Sequence, residues 1–420
     1  MIAVIGGGVT GLCVGWELTQ RRADCVVLEA GAEPGGVVRS TELDGRVLDW
    51  GPQRTRLTSD IARLIDALDL RDRVVTAPLD LDLYVYRGGR LRVVPFSVAD
   101  FLVSDIVSWR AKARMLVEPL TAAADPDETV ADFFRRKVGS ELYDVLIAPL
   151  YGGLYASDPA DMQVGLSLIH SLRELRVGRS LLAQLLRRGG GFHPPPACSF
   201  VGGMQELPLA IARALGERLR LNNSVRSLRR RGTGWRVECE DEVVEARSVV
   251  VCTAAPAAGE LLATVAPERG TAVASLRYNQ LGIVQLDSHT ALRGLGFQVA
   301  FTERGVRLRG VTFHDSLFGR RNLYTAYLGG ARHPEVADMG EEELARLAER
   351  EFAACTGYDA EALAVGRARM PAWDTSWKAI EDLDLPPGLH VAGNWRSRPG
   401  LPGRLAEAAR IAGALVPAGS

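Results

Sequence analysis

The first twenty residues predict a strand, a glycine-rich turn and a helix. Ile2–Ile5 is short, apolar and β-branched, as in a buried parallel strand. Gly6, Gly8 and Gly11 follow at G-x-G-x-x-G spacing, and Val9–Gln20 has helical apolar periodicity. In this pattern the first glycine turns the chain, the second lets the backbone approach a pyrophosphate, and the third lets the helix pack on the strand. The N–H groups and the dipole at the helix N-terminus attract phosphate, so we expect a bound dinucleotide.

A carboxylate follows at the distance that such a site requires. The apolar run 24–28 predicts a second strand, which ends at Glu29, about twenty residues beyond the glycines. A carboxylate in this place bonds the ribose hydroxyls and disfavours a 2′-phosphate. Glycine turns between strands and helices are common, but here the strand, the helix, the second strand and the acid all occur together. The sequence therefore predicts an adenosine diphosphate cofactor without a 2′-phosphate.

Composition excludes several classes of protein. A chain of 420 residues is too long for one ordinary core, so we expect two or three domains. The net charge of −1, with 47% hydrophobic residues, gives no bias towards nucleic acids. The six cysteines are scattered without a C-x-x-C pair, which predicts buried free thiols in a reducing compartment. No H-E-x-x-H motif or histidine pair at ligand spacing indicates a metal site, so no metal is expected.

Further along the chain, several segments resemble a known family. The pair Gly35-Gly36 resembles the second glycine motif of the FAD-containing amine oxidase and desaturase superfamily. Within it, the chain is similar to the oxygen-dependent protoporphyrinogen and coproporphyrinogen oxidases, flavoenzymes of haem biosynthesis. The segments that carry this resemblance are 128–164 (ETVADFFRRKVGSELYDVLIAPLYGGLYASDPADMQV), 199–215 (SFVGGMQELPLAIARAL), 294–296 (GLG), 325–335 (TAYLGGARHPE) and 390–402 (HVAGNWRSRPGLP). Together they cover nearly the whole chain.

The resemblance implies an α/β fold with three parts. A FAD-binding Rossmann-like domain of the GR2 type is built from discontinuous segments, and a mixed α+β substrate domain carries an inserted helical subdomain. The expected segments are 1–75, 196–258 and 385–420 for the FAD-binding domain, 76–96 and 259–384 for the substrate domain, and 97–195 for the helical subdomain. Local patterns agree with this division. Gly88-Gly89 between two strand-like runs predicts a hairpin, helical periodicity dominates from 97 to about 188, and the glycine- and proline-rich stretch 189–196 predicts a linker.

The fingerprint and the resemblance together define an expected FAD site. The turn Gly51-Pro52-Gln53 follows a short strand and is expected beside the flavin. The full set of expected FAD-binding residues is Gly6, Gly8, Val9, Thr10, Gly11, Glu29, Ala30, Gly35, Gly36, Val37, Gly51, Pro52, Gln53, Val225, Thr253, Gly393, Asn394, Leu401 and Pro402.

The resemblance also implies where the substrate binds. Four residues occupy positions that in relatives face the porphyrinogen and the flavin, and they are Leu150, Leu295, Gly296 and Tyr327. Apolar residues are usually core, so core packing is the competing interpretation. Arg54 and Arg56 follow the flavin turn and are expected to meet substrate carboxylates, because a guanidinium binds a carboxylate through two hydrogen bonds. Exposed arginines are more often only solvated.

Two features of the family are absent from this sequence. An arginine that in some relatives pairs with a substrate carboxylate is missing before the hairpin, where residues 81–83 are Leu-Asp-Leu. An acid and a cysteine are missing after Pro402, which Gly403 and Arg404 follow. A shortage of cations favours protoporphyrinogen IX, with two propionates, over coproporphyrinogen III, with four.

The resemblance implies that FAD oxidises a porphyrinogen to the porphyrin and that molecular oxygen accepts the electrons as hydrogen peroxide. The flavin performs the difficult step, so no catalytic side chain is assigned. Three alternatives stay open: an amine oxidase, a carotenoid-type desaturase, and a flavin- or haem-binding homologue without turnover. Many amine oxidases use a lysine near the flavin, and no lysine lies between Lys137 and Lys378, which argues against the first.

The expected location is cytoplasmic. No apolar run reaches the roughly eighteen residues of a membrane span, and a strand beginning at Ile2 leaves no room for a leader. Relatives are often membrane-associated through the helical block, so a peripheral membrane contact and transfer of the product to a ferrochelatase are further expectations. The apolar surface for such a contact would be Phe96, Phe101, Leu102, Ile106, Val107 and Trp109, unless they pack inside the block. The oligomeric state stays open.

Overall fold

The computed structural model describes residues 1–187, 195–397 and 399–417, so most of the predicted linker 189–196 lies outside the described residues. The strands are β1 (Ile2–Ile5), β2 (Cys25–Leu28), β3 (Ser40–Leu43), β4 (Arg46–Asp49), β5 (Thr55–Arg56), β6 (Val74–Thr76), β7 (Leu83–Arg87), β8 (Arg90–Val93), β9 (Ala197–Phe200), β10 (Leu219–Arg220), β11 (Val225–Arg231), β12 (Gly234–Cys239), β13 (Val243–Ala246), β14 (Ser248–Val251), β15 (Tyr278–Asp287), β16 (Gly296–Val299), β17 (Leu308–Phe313), β18 (Leu323–Gly329), β19 (Glu361–Pro371) and β20 (Leu389–Val391). The helices are α1 (Val9–Gln20), α2 (Ser59–Ala67), α3 (Val98–Val103), α4 (Trp109–Arg114), α5 (Val130–Val138), α6 (Ser140–Leu142), α7 (Ala148–Tyr155), α8 (Ile169–Glu174), α9 (Leu181–Arg187), α10 (Glu206–Leu215), α11 (Ala255–Ala263), α12 (Pro267–Ala274), α13 (His314–Phe318), α14 (Glu341–Thr356) and α15 (Leu401–Leu415).

The chain forms two compact units, and the α/β fold is confirmed. The first unit combines Met1–Thr76, Pro195–Leu276 and Lys378–Ser420, and the second combines Ala77–Pro194 and Arg277–Trp377. The units differ from the expected domains in several places, one of them being residues 378–384, which belong to the first unit. The helical block shares the second unit with a sheet, and residues 259–276 belong to the first unit because α11 packs against α12 and β11. The functional domain boundaries otherwise remain predictions.

A five-stranded parallel sheet organises the first unit, in the order β10-β2-β1-β14-β20. Its strands come from all three segments of the chain, since β1 and β2 lie before residue 76, β10 and β14 after residue 195, and β20 near the C-terminus. Every residue of β1 and β2 is buried, as expected where helices cover both faces of a parallel sheet. Helix α1 packs against α10 and α15. The unit is therefore one fold assembled from discontinuous segments.

A seven-stranded sheet organises the second unit, in the order β19-β15-β18-β17-β16-β7-β8. All of its neighbours are antiparallel except β16 and β7. Side chains alternate between the two faces of each strand. One face carries Val284, Phe297, Val311 and other apolar residues that pack with α14 in a buried core. Register places Gly296, Gln298, Thr312, Thr325 and Tyr327 together on the opposite face.

Short helices make up the rest of the second unit. Two π-helical turns, Tyr143–Ile147 and Val164–Leu168, interrupt the regular helices and lie within their apolar core. The expectation that residues 96–109 form one apolar surface is wrong in part, because Ile106 and Val107 are buried in this core. Exposed apolar side chains in the same stretch include Phe96, Leu102 and Trp109. Within the described residues, no helix is long and apolar enough to cross a membrane.

Candidate functional site

The turn between β1 and α1 explains why its glycines are needed. A β-carbon on Gly11 would lie 1.9 Å from the carbonyl oxygen of Gly6, so only glycine lets α1 approach the strand. Gly6 has a φ of +103°, and a β-carbon there would meet Thr253 at 3.1 Å. Around Gly8 the space is open, because the nearest atom to an added β-carbon is the Cα of Gly36 at 4.0 Å. The sequence thus builds a hollow beside the backbone at the start of α1.

The second glycine pair lies along this hollow. Gly8 and Gly35 form a parallel bridge, and the N–H of Gly35 donates to the oxygen of Gly7 at 2.9 Å. Gly36 has a φ of +61°, and its added β-carbon would lie 3.1 Å from the Cα of Gly8. Among the described residues no side chain caps the N-terminus of α1, so the first N–H groups of this twelve-residue helix face a cradle of bare backbone. Such a cradle suits a pyrophosphate.

The predicted acid stands at the end of β2, beside the glycine turn. One carboxylate oxygen of Glu29 accepts from the N–H of Gly7 at 2.5 Å, and the other accepts from Gly31 at 2.8 Å. A carboxylate has about four lone-pair positions, so it can accept ribose hydroxyls as well. The N–H of Asn223 donates to the backbone oxygen of Glu29 at 2.8 Å, which brings the start of β11 and Val225 close to this point.

The carboxyl ends of β14 and β20 meet beside the same turn. The indole N–H of Trp395 donates to the backbone oxygen of Thr253 at 3.1 Å, and Gly393 leaves the space that this ring fills. The hydroxyl oxygen of Thr253 is buried without a hydrogen-bond partner among the described residues. Because an unpaired buried hydroxyl is unfavourable, this orphaned group fits a polar ligand next to Gly6.

The remaining expected cofactor residues fall into two groups. Gly51, Pro52 and Gln53 form a turn that packs on Val37, since an added β-carbon on Gly51 would lie 2.0 Å from the oxygen of Val37. The side-chain amide of Gln53 fixes this turn by donating to the oxygen of Asp49 at 2.7 Å. Other expected residues lie in helices or just outside strands of the first unit, and they are Val9, Thr10, Ala30, Asn394, Leu401 and Pro402. Leu401 and Pro402 begin α15, after Gly400 with a φ of +87°.

The expected substrate residues divide between the two units. Gly296 and Tyr327 share one face of the seven-stranded sheet, Leu295 precedes β16, and Leu150 lies in α7 of the same unit. Arg54 and Arg56 belong to the first unit, where Arg56 donates to the oxygen of Pro195 at 3.0 Å. The roles of all six residues, like those of the cofactor set, remain predictions. No group of three or more metal-ligating side chains occurs within the described residues.

Sequence reasoning missed several residues that build these regions. Trp395 lies in the segment 390–402, but its hydrogen bond to Thr253 could not be predicted, because the two residues are 142 positions apart. Arg309 and Arg332, which line a cavity in the second unit, were also missed. One feature of the sequence could have indicated Arg309. It is the only charged residue in the run from Leu308 to Val311, and such a position is unusual for a solvated arginine.

Comparison with known proteins identifies the class. The chain belongs to the family of flavin-containing amine oxidoreductases, which it matches over residues 9–415. It is an FAD-dependent oxidase, and the hollow at α1, the carboxylate of Glu29 and the orphaned Thr253 hydroxyl fit this cofactor.

Particular relatives are porphyrinogen oxidases. Protoporphyrinogen oxidase 2, chloroplastic/mitochondrial, of Arabidopsis thaliana is 26% identical over 94% of this chain and 89% of its own length. Coproporphyrinogen III oxidase of Staphylococcus aureus is 31% identical, over 37% of this chain and 36% of its own. A crystal structure of a candidate protoporphyrinogen oxidase from Exiguobacterium sp. 255-15 has a TM-score of 0.79 at 19% identity, covering 99% of this chain and 98% of that chain, so the two share a fold.

Proposed function

We propose that this protein oxidises a porphyrinogen to the porphyrin in haem biosynthesis, with FAD as the immediate acceptor and molecular oxygen as the final one. The observation that carries the proposal is the similarity along nearly the whole chain to enzymes named for protoporphyrinogen. Bound FAD supplies a two-electron acceptor that takes a hydride from carbon and that oxygen reoxidises to give hydrogen peroxide. Each round therefore removes one hydride and one proton from the macrocycle.

The chain's own residues provide binding and orientation rather than acid–base chemistry. The cradle at Gly8 and Gly36 and the uncapped N-terminus of α1 would hold the pyrophosphate, and Glu29 would hold the ribose. On the seven-stranded sheet, Gly296 and Tyr327 lie on one face, and Gly310 pairs with Tyr327. We expect the macrocycle to lie against this face, with Leu150 and Leu295 as further contacts.

The distribution of lysines supports a porphyrinogen over an amine. The chain has three lysines, Lys112, Lys137 and Lys378. Lys112 donates to the backbone oxygen of Leu102 at 2.7 Å, and Lys137 is buried beside Glu118 in the helical block. Lys378 is exposed and lies outside the seven-stranded sheet. No lysine therefore stands on the strands proposed to face the substrate, where many amine oxidases carry one.

Protoporphyrinogen IX is the proposed substrate, with coproporphyrinogen III as the second candidate. The relative named for coproporphyrinogen matches little more than a third of this chain, whereas the plant protoporphyrinogen oxidase matches nearly all of it. The product would then be consumed by an enzyme that inserts a metal into the ring, a ferrochelatase.

One assay tests the proposed function directly. Purified protein with bound FAD is mixed in air with each porphyrinogen, and porphyrin fluorescence and hydrogen peroxide are followed together. We expect both signals to rise above the rate of spontaneous oxidation, with the larger kcat/KM for protoporphyrinogen. Protein stripped of FAD is the matched control and should show only the spontaneous rate. Peroxide released from amines but not from porphyrinogens would replace the proposal by an amine oxidase, and no turnover of either would favour a carrier.

A further inference from the structure

Two arginines line a small cavity in the second unit. Arg309 lies in β17, where the register with β18 shifts, and Arg332 follows the end of β18. The cavity encloses about 20 Å³, and Pro149, Gln298 and Phe301 contribute to its wall. A volume of this size holds about one water molecule or the end of one carboxylate group.

Neither guanidinium has a direct anionic partner. Arg309 donates to the backbone oxygens of Gly329 and Ser157 at 3.4 and 3.3 Å, which are long contacts. Arg332 donates to the backbone oxygen of Phe301 at 3.1 Å and stacks over its ring at 3.9 Å. Within the described part of the chain, no carboxylate lies within ion-pair distance of either arginine. Two cations thus face one cavity, and among the described residues their direct hydrogen bonds go to backbone carbonyls.

Both guanidiniums are only partly exposed, so an anion between them would be favourable. Burial, together with the nearby charge of Arg332, lowers the pKa of Arg309 to about 10 against the opposing charge of Asp158, and the side chain stays cationic at neutral pH. Burial also lowers the pKa of Arg332, while Asp158 and Asp144 oppose this from outside bonding distance. A partly buried charge is stabilised by a partner of opposite charge. A carboxylate would neutralise both arginines and accept their hydrogen bonds.

The cavity is built from the segments that carry the expected substrate residues. Pro149 directly precedes Leu150 in α7. Gln298 lies two residues after Gly296 in β16 and on the same face of the sheet. Gly310 follows Arg309 and pairs with Tyr327. Glycines in α7 allow this approach, since an added β-carbon on Gly153 would lie 3.0 Å from the side-chain oxygen of Gln298.

From this arrangement we propose that Arg309 and Arg332 form a subsite for one carboxylate of the substrate, a propionate of the porphyrinogen. The inference rests on the proposed function and extends it, because it names anchoring residues in place of the arginine that is missing before the hairpin. The guanidiniums supply a fork geometry that carboxylates match, and their position beside Gln298 and Phe301 restricts the subsite to a single group.

The experiment compares a porphyrin diacid with its diester. Binding of protoporphyrin IX and of protoporphyrin IX dimethyl ester is titrated by porphyrin fluorescence with the FAD-loaded protein. The variants are Arg309→Gln, Arg332→Gln and Arg332→Lys, which keeps the charge but loses the fork. Arg304→Gln is the matched control, because Arg304 is exposed and close enough to influence Arg332 but does not line the cavity. The Tm and the FAD content of each variant show whether it folds.

We expect the wild-type protein and Arg304→Gln to bind the diacid more tightly than the diester. Each Gln variant should lose about tenfold in affinity for the diacid with little change for the diester, and Arg332→Lys should lose less. If the Gln variants lost affinity equally for diacid and diester, or kept the wild-type ratio of the two affinities, the subsite would be overturned while the proposed function stayed intact. The subsite would also be overturned if acetate raised the Tm of the wild type while the variants kept the wild-type ratio of diacid to diester affinity. The cavity would then bind a free anion and not a carboxylate of the substrate. Absence of any porphyrin binding by the wild type would instead reject the proposed function, and the subsite with it.

Discussion

Two glycines of the same fingerprint serve different purposes, and the space around each one separates them. At Gly11 an added β-carbon would overlap the oxygen of Gly6 at 1.9 Å, so this glycine is needed for α1 to pack on β1. At Gly8 the nearest atom is 4.0 Å away, and its φ of −65° is one that any residue adopts. We therefore expect Gly8 to be needed by the cofactor and not by the fold.

The same substitution at both positions tests this distinction. We expect Gly11→Ala to lower the free energy of unfolding by about 3 kcal/mol, because the strand and the helix must move apart. Gly8→Ala should leave the stability of the apoprotein nearly unchanged but weaken FAD binding by about tenfold, since the methyl group meets the pyrophosphate. Urea denaturation of the apoproteins and the FAD released on denaturation measure the two effects. Equal losses of stability in both variants would contradict this assignment.

At the residue scale, the sequence predicts well what depends on near neighbours. The glycine fingerprint and Glu29 lie within thirty residues, and their spacing alone indicates a dinucleotide. Arg309 and Arg332 could not be recognised as a pair in this way. They come together only because β17 and β18 are adjacent in the sheet, and because α7 approaches them from a part of the chain about 150 residues earlier. Burial of a cation is a property of the fold, which no local pattern records.

At the level of elements, a buried ion pair connects the pieces of the helical block. Glu118 is fully buried and lies 3.4 Å from the amine of Lys137 in α5. Its carboxylate also accepts from the N–H groups of Leu181 and Leu182 at 2.9 and 3.3 Å, and from the hydroxyl of Ser180. One side chain thereby caps the start of α9 and neutralises a lysine of α5. Short helices with few contacts of their own need such a connection.

Removing the Glu118 carboxylate alone should destabilise the helical block more than removing the charges of both Glu118 and Lys137. We expect Glu118→Gln to lower the free energy of unfolding by about 3 kcal/mol, because Lys137 is left buried without its partner. The double variant Glu118→Gln/Lys137→Met should recover a part of this loss, although the cap of α9 stays weakened. Urea denaturation at pH 7 measures both. A double variant less stable than Glu118→Gln would show that the lysine acts through other contacts.

Stability should also depend on pH through the same carboxylate. Burial favours the neutral acid, but the hydrogen bonds from Ser180, Leu181 and Leu182, together with the charge of Lys137, outweigh it and lower the pKa of Glu118 below the ordinary 4.5. A lowered pKa in the folded state stabilises the fold above the unfolded value, and this stabilisation is lost as the pH falls through the folded value. The difference in stability between wild type and Glu118→Gln should therefore shrink below about pH 4.5. A constant difference down to pH 3 would contradict this.

Strands and helices could be predicted from the sequence where turn-forming glycines mark their ends. Gly88 and Gly89 have φ values of +59° and +78°, and they join β7 and β8 in the expected hairpin. Helical periodicity in residues 97–187 is confirmed, but the interruptions by π-helical turns at Tyr143–Ile147 and Val164–Leu168 had no signal in the pattern. A π-helical turn shifts the side chains by a fraction of a turn, and tertiary packing decides where that shift is favourable.

On the scale of the whole molecule, the first unit depends on a segment from the C-terminal end of the chain. Strand β20 pairs with β14 at the edge of the parallel sheet, and α15 packs against α1, the helix that follows the glycine-rich turn. Leu401, Leu405 and Ile411 of α15 belong to the same buried core as β1. Local pattern indicates a strand and a helix near the C-terminus. Only the resemblance to a family indicated that they return to the first domain, since long-range pairing leaves no local trace.

Removal of this segment should therefore cost both the fold of the first unit and the cofactor. We expect a chain of residues 1–377 to lose cooperative unfolding of that unit and to retain less than about a tenth of the FAD, because an edge strand and a core helix are missing. A chain ending at Pro417 is the matched control and should behave as the full chain does. Co-expression of residues 378–420 as a separate segment should restore FAD to the truncated chain, since the contacts between β14 and β20 and between α1 and α15 need no covalent link. Tm and FAD content after purification decide the outcome. If residues 1–377 alone kept both, β20 and α15 would be peripheral to the unit, and the nucleotide site would be complete in the first two segments.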